Sequence, residues 1–202
     1  MRLPSHRYEQ IKLRVVALFA MVGERSIPID PFVIAGKLGV HVVAYGSLDG
    51  IGKVACLKRS KSGFKLFLKA LDGTSAWYIY YNETKPWGHV RFTILHEIGH
   101  IVLEHLQESD VAEAEANFFA KYAIAPPVLV NLIRPNDYMD IAEAFKLSNE
   151  GAMYSWNYYC RWLRIFDFKD YELKLKSMFT IGKDEGDGLT KATPVLRMGK
   201  GA

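Results

Sequence analysis

The sequence has no run of about 18 or more uncharged apolar residues, the length a membrane-crossing helix requires. Its longest apolar stretch near the N-terminus, Val15 to Val22, is too short to span a bilayer. No small-residue cleavage site follows that stretch, so it reads as the buried face of a first helix rather than a signal peptide. Cysteine is scarce. Cys56 and Cys160 are the two in the chain, and neither has a C-x-x-C partner. That excludes a disulfide framework and gives no support to a thiolate zinc site. Charge of one sign is also lacking: the net charge is +4, too mild to demand nucleic acid. No internal repeat is visible. These absences lead to the expectation of a cytoplasmic protein with no membrane partner.

What the sequence does have is enough apolar side chain, 50% of 202 residues, to bury a sizeable core. Ser5 to about Met21 is predicted as a first helix. Asp30 is suited to cap a second, with Pro31 at its first position, where a missing N–H costs nothing; Phe32 to Lys37 follows and ends near Gly39. Strands are expected at Val40 to Tyr45, Lys53 to Lys58, Phe64 to Lys69 and Trp77 to Tyr81, joined by Gly- and Ser-rich turns. Short turns imply a small, mostly antiparallel sheet. After Pro86 the period changes. Phe92, Leu95, Ile98, Val102 and Leu106 recur at helical spacing, which predicts a helix over about Val90 to Gln107. Further helices are expected at Ser109 to Ile124, from Pro135 through Phe145, and from Asn149 to about Ile165 with Ser148 as cap. From Gly182 on, a mobile Gly-, Lys- and Asp-rich tail is expected. The domain reading is a core over 1–128, a C-terminal helical element over 129–180 and a tail over 181–202.

The chemistry sits in His96-Glu97-Ile98-Gly99-His100. Two histidines four residues apart on a helix leave the same face and can reach one tetrahedral metal ion. A catalytic zinc takes three protein ligands and keeps a position open for water, whose pKa it lowers to about 7. Glu97 is placed to take the proton from that water. A pair of solvated surface histidines would also match so short a pattern. However, Leu95, Ile98, Ile101 and Val102 place this pair on the border of the apolar stripe.

A third ligand must come from elsewhere. His105 lies five residues after His100, roughly 500° around a continued helix, and is expected to point away, near the last carbonyls. On the next helix Glu113, Ala116, Asn117 and Ala120 share a face whose alanines permit close approach. Glu113 could reach the metal, and Asn117 could accept a hydrogen bond from a ligand histidine. Glu115 points about 160° from Asn117 and ranks second.

Together these residues resemble the ImmA/IrrE family of zinc metallopeptidases. The matching pieces are Arg91-Phe92-Thr93, His96-Glu97-Ile98-Gly99-His100, and Glu113 with Ala116, Asn117, Phe119 and Ala120, ending at Pro126. Ile141-Ala142, Phe145, Leu147-Ser148 and Ala152 are similar to that family's C-terminal helical element, and the resemblance covers about Gly39 to Leu163. Leu95 departs from it, since a small residue is common there. The resemblance implies an α+β, zincin-like core of helices and a small sheet, with a C-terminal helical element. It implies Zn2+ held by His96, His100 and Glu113, with Glu97 as general base. It further implies a cytoplasmic endopeptidase, often of a mobile element, that cleaves a helix-turn-helix repressor. A non-catalytic module acting by contact with a repressor or DNA is the alternative, which retention of Glu97 disfavours.

Three other features invite a functional reading. Trp77 to Tyr81 could be an edge strand that pairs with an extended substrate, or ordinary cross-strand aromatic packing. The basic residues from Lys53 to Lys69 read as the solvated face of a hairpin. Ile141 to Ala152 has a helix-turn-helix flavour, but the following helix is short of basic side chains, so direct nucleic-acid binding is not expected. Its Trp156, Tyr159 and Trp162 group reads as core or interface.

Overall fold

In a computed structural model, residues 2–69, 73–165 and 168–180 are described. The expected tail lies outside them. Polar caps set where most helices begin. Asp30 accepts hydrogen bonds from the Phe32 and Val33 amides at 2.8 and 3.4 Å, and Pro31 opens the helix as expected. Ser109, Asp137 and Ser148 do the same for later helices, accepting from Ala112, Met139 and Gly151.

The elements are α1 (Ser5–Val22), α2 (Pro31–Lys37), β1 (His41–Ala44), α3 (Gly50–Arg59), β2 (Gly63–Lys69), β3 (Ser75–Tyr81) and α4 (Trp87–Val102). They continue as α5 (Asp110–Ile124), α6 (Pro127–Ile133), α7 (Tyr138–Phe145), α8 (Asn149–Trp162) and α9 (Asp170–Thr180). The fold class is α+β, consistent with a zincin-like core. The sheet has the order β1-β3-β2. Its longer ladder, Gly63↔Tyr81 to Lys69↔Ser75, is antiparallel, and its shorter one, His41↔Tyr78 to Ala44↔Tyr81, is parallel.

One expectation is overturned here, and one open alternative is decided. Lys53 to Lys58 is helix, not strand. Asp49 caps α3 by accepting from the Gly52 amide at 2.7 Å, and Lys58 and Arg59 complement the dipole in its last turn. Gly50 and Gly52, which fall in the Gly-rich turn expected before that strand, are first-turn residues of α3. The basic residues of this region are therefore split between α3 and β2 rather than ranged along one hairpin. Secondly, β3 is the central strand, so Trp77 to Tyr81 offers no free edge. Its rings pack across strands, with Phe64–Tyr80 and Phe67–Trp77 centroids 5.3 and 5.0 Å apart.

One hydrophobic core joins α1, α4, α5 and the helices that follow. Ile11, Val15 and Phe19 of α1, Ile94, Leu95 and Ile98 of α4, and Phe119 of α5 are all buried in it, as is Ile79 of β3. Phe145, Tyr159 and Leu175 belong to the same cluster. Leu95, the residue that departs from the family pattern, is fully buried there. The stretch Asp110–Ile133 is long and apolar enough to cross a membrane, but it is two successive helices and most of it is buried inside the fold. Of the α8 aromatics, Tyr159 donates to Asn131 and the Trp162 indole to Glu172, so they serve packing against α6 and α9.

Candidate metal centre

The site begins with a close approach of two helices. At Gly99 an added Cβ would lie 2.9 Å from the Phe119 ring, so only glycine lets α5 settle against α4 this tightly. Ala116 and Ala120, both fully buried, complete the seam. The consequence is that Glu113, at the start of α5, arrives over the histidine pair. The Nε2 atoms of His96 and His100 are 3.0 Å apart. Glu113 brings Oε2 to 3.4 Å from His96 Nε2 and Oε1 to 3.1 Å from His100 Nε2. One donor atom from each residue falls within 4.8 Å of the others, a group able to hold a metal ion. Asn117, one turn on, hydrogen-bonds His96 as expected.

The donor chemistry fits a divalent ion. Burial, with the neighbouring histidines, drives His100 down to about 3. Burial lowers His96 as well, against the pull of Glu113. Both imidazoles are thus neutral, the form that ligates. Two nitrogens and one carboxylate make three donors, and the remaining side opens onto a cleft of about 560 Å³.

Glu97 lines that cleft and is 8% exposed. Burial pushes its carboxyl up to about 7, opposed by Lys65, whose backbone amide also donates to it. The geometry of β2 explains that bond. The Asn82 amide donates to the Ser62 carbonyl at 2.9 Å, so the residues paired to β3 are even-numbered. The amides and carbonyls of Gly63, Lys65 and Phe67 then face away from β3, with the Gly63 amide donating to Ser60 Oγ at 3.1 Å; Gly63 and Lys65 line the cleft. Gly63 is where α4 rests on the strand: a Cβ there would lie 2.6 Å from Thr93 Cγ2 and 2.8 Å from the Tyr80 carbonyl oxygen. His89, on the same face of α4 as His96, also lines the cleft and meets Ser62 Oγ at 2.9 Å. An apolar cleft, walled by Trp87, Phe92, Ile124, Leu147 and Tyr154, continues past Phe92 and Asn117.

Residues 37–156 match the family model Peptidase_M78, described as the IrrE N-terminal-like domain. The chain belongs to this family. No curated protein and no solved structure gives a significant match. The IrrE-like domain spans β1 through most of α8 and brings with it the character of a metallopeptidase; α1 precedes it.

Two sequence expectations in this IrrE-like domain are corrected. His105 does not point away. α4 ends a turn early, at Val102, where Glu104 takes a left-handed φ of 58° and the His105 amide reaches back to the His100 carbonyl at 2.9 Å. That reversal brings His105 Nδ1 to 3.0 Å from His100 Nδ1. Leu106, assigned to the apolar stripe, is 92% exposed as a result. Glu115, ranked second as a ligand, faces His105 and Arg7 instead, at 2.9 and 2.5 Å. Arg7 and His105 hold its carboxyl below the usual range, against the opposing pull of burial. Arg7 carried no sequence signal, since it lies on α1, 108 positions from its partner.

Proposed function

We propose that the protein is a zinc-dependent endopeptidase acting on a regulatory protein, with His96, His100 and Glu113 as zinc ligands and Glu97 as general base. The observation that carries this reading is the meeting of two neutral imidazoles and a carboxylate beside a buried glutamate poised near neutral pH. Zinc, when bound, supplies a Lewis acid that lowers the pKa of water and polarises a carbonyl oxygen.

The chain's own residues do the rest. An extended substrate segment lies along β2, pairing with the outward carbonyls of Gly63 and Lys65 and with the amide and carbonyl of Phe67, while the Gly63 amide stays on Ser60 Oγ and the Lys65 amide on Glu97. The apolar cleft beyond Phe92 suits a bulky side chain next to the scissile bond. Glu97 takes a proton from water as the water oxygen bonds the carbonyl carbon. The Lys65 amide holds that carboxylate in place. Glu97 then delivers the proton to the amide nitrogen as the C–N bond breaks, leaving a carboxylic acid and an amine. The resemblance to ImmA/IrrE proteins supports a helix-turn-helix repressor of a mobile element or stress response as substrate, met in the cytoplasm.

Glu97→Gln tests the proposal. The variant keeps its fold and zinc content but cleaves a co-encoded repressor about 10²- to 10⁴-fold more slowly, the range for a lost general base. Relief of repression that survives this change would instead establish action by contact.

A further inference from the structure

The side chains behind His100 form an ordered chain that runs out of the family-matched segment and into α1. His100 Nδ1 meets His105 Nδ1 at 3.0 Å, and His105 Nε2 meets Glu115 Oε2 at 2.9 Å. Glu115 takes a two-pronged contact from Arg7, Nε to Oε1 at 2.5 Å and Nη2 to Oε2 at 2.6 Å. Glu115 and His105 are nearly buried, with 7% and 10% of their side chains exposed.

The proton inventory of this chain has one solution when His100 presents Nε2 to an ion. Its Nδ1 then carries hydrogen and must donate. His105 Nδ1 must accept, so the His105 hydrogen sits on Nε2 and donates to Glu115. Arg7 has donors alone and fills the remaining carboxylate positions. Every contact has one donor and one acceptor. Moving the hydrogen of either ring to its other nitrogen would set two donors, or two acceptors, face to face.

We propose that Arg7, Glu115 and His105 are positioning residues of the metal centre: they fix the tautomer and ring orientation of His100, which makes α1 part of the metal site. This rests on the metal reading of His96, His100 and Glu113. It differs from the common arrangement, in which a carboxylate or carbonyl meets the ligand histidine directly, by inserting a second imidazole.

The test is zinc affinity of the full chain, measured by chelator competition, with the visible spectrum of the cobalt(II)-loaded protein as a second readout. Wild type binds one ion. His105→Ala and Glu115→Gln each weaken zinc about 10- to 100-fold and shift the cobalt bands, and Arg7→Gln weakens it less. Because the three act in series, His105→Ala combined with Glu115→Gln is no worse than His105→Ala alone. Tyr8→Leu disturbs the α1–α5 seam, where Tyr8 packs edge-on against Phe118, without touching the chain; it lowers the melting temperature and leaves zinc affinity unchanged. Folded variants that bind zinc like wild type overturn the proposal, as do effects that simply add. So does a Tyr8→Leu loss equal to that of Arg7→Gln. A wild type that binds no zinc overturns the metal reading itself, and this proposal with it.

Discussion

The Tyr122 hydroxyl is buried and has no hydrogen-bond partner among the described residues. A buried donor left unpaired forfeits its hydration without return. Tyr122→Phe is therefore expected to leave stability unchanged or raise it by up to about 1 kcal/mol. Urea denaturation checks this, and a loss of more than about 1 kcal/mol would mean that the hydroxyl is satisfied. The same burial that strands this hydroxyl shapes the metal centre. It keeps His100 neutral by lowering it to about 3 and favours neutral Glu97 by raising it to about 7. Side chains whose placement depends on near neighbours in sequence were legible. His96, Glu97 and His100 share one turn and a half, and Glu113 was marked by the alanines on its face. His105 was not, because its direction depends on where α4 stops.

At the scale of elements, Arg91 is the clearest joint. Its guanidinium is 2% exposed and donates to the Phe145 and Lys146 carbonyls at the end of α7 and to the Ile29 carbonyl before α2. A cation on carbonyls at a helix C-terminus meets the negative end of that helix. Arg91→Leu would strand these buried acceptors and cost roughly 2–4 kcal/mol. The urea midpoint is expected to fall while the m-value stays constant. Zinc affinity of the folded variant should be preserved, since Arg91 touches no ligand. Long helices were readable: α1, α5 and α8 start within a residue of where the sequence placed them, and α4, placed by its apolar spacing, starts three residues early. α3 was missed because two glycines in its first turn imitate a break. α6 was missed because it occupies the seven residues Pro127–Ile133, opened by a proline that also reads as a stop.

For the whole molecule, the three side chains that would hold an ion are on the last turns of α4 or the first turn of α5, so an ion would clamp the two helices together. Zinc at about 100 times its dissociation constant adds about 2.7 kcal/mol to stability. For a chain of this size that raises the melting temperature by roughly 5–10 °C, a shift that scanning calorimetry detects and a chelator reverses. Glu113→Ala should abolish the increment while leaving the melting temperature of the metal-free protein nearly unchanged, because half of the Glu113 side chain is exposed.

The seam between α1 and the rest has a further consequence for how this chain can be divided. Similarity begins at residue 37, yet Ile11, Val15 and Phe19 fill the interior that the matched segment would otherwise leave open. Excising residues 37–156 would uncover that greasy flank and invite precipitation. The leading helix is better regarded as a wall of the same building than as a porch added to it.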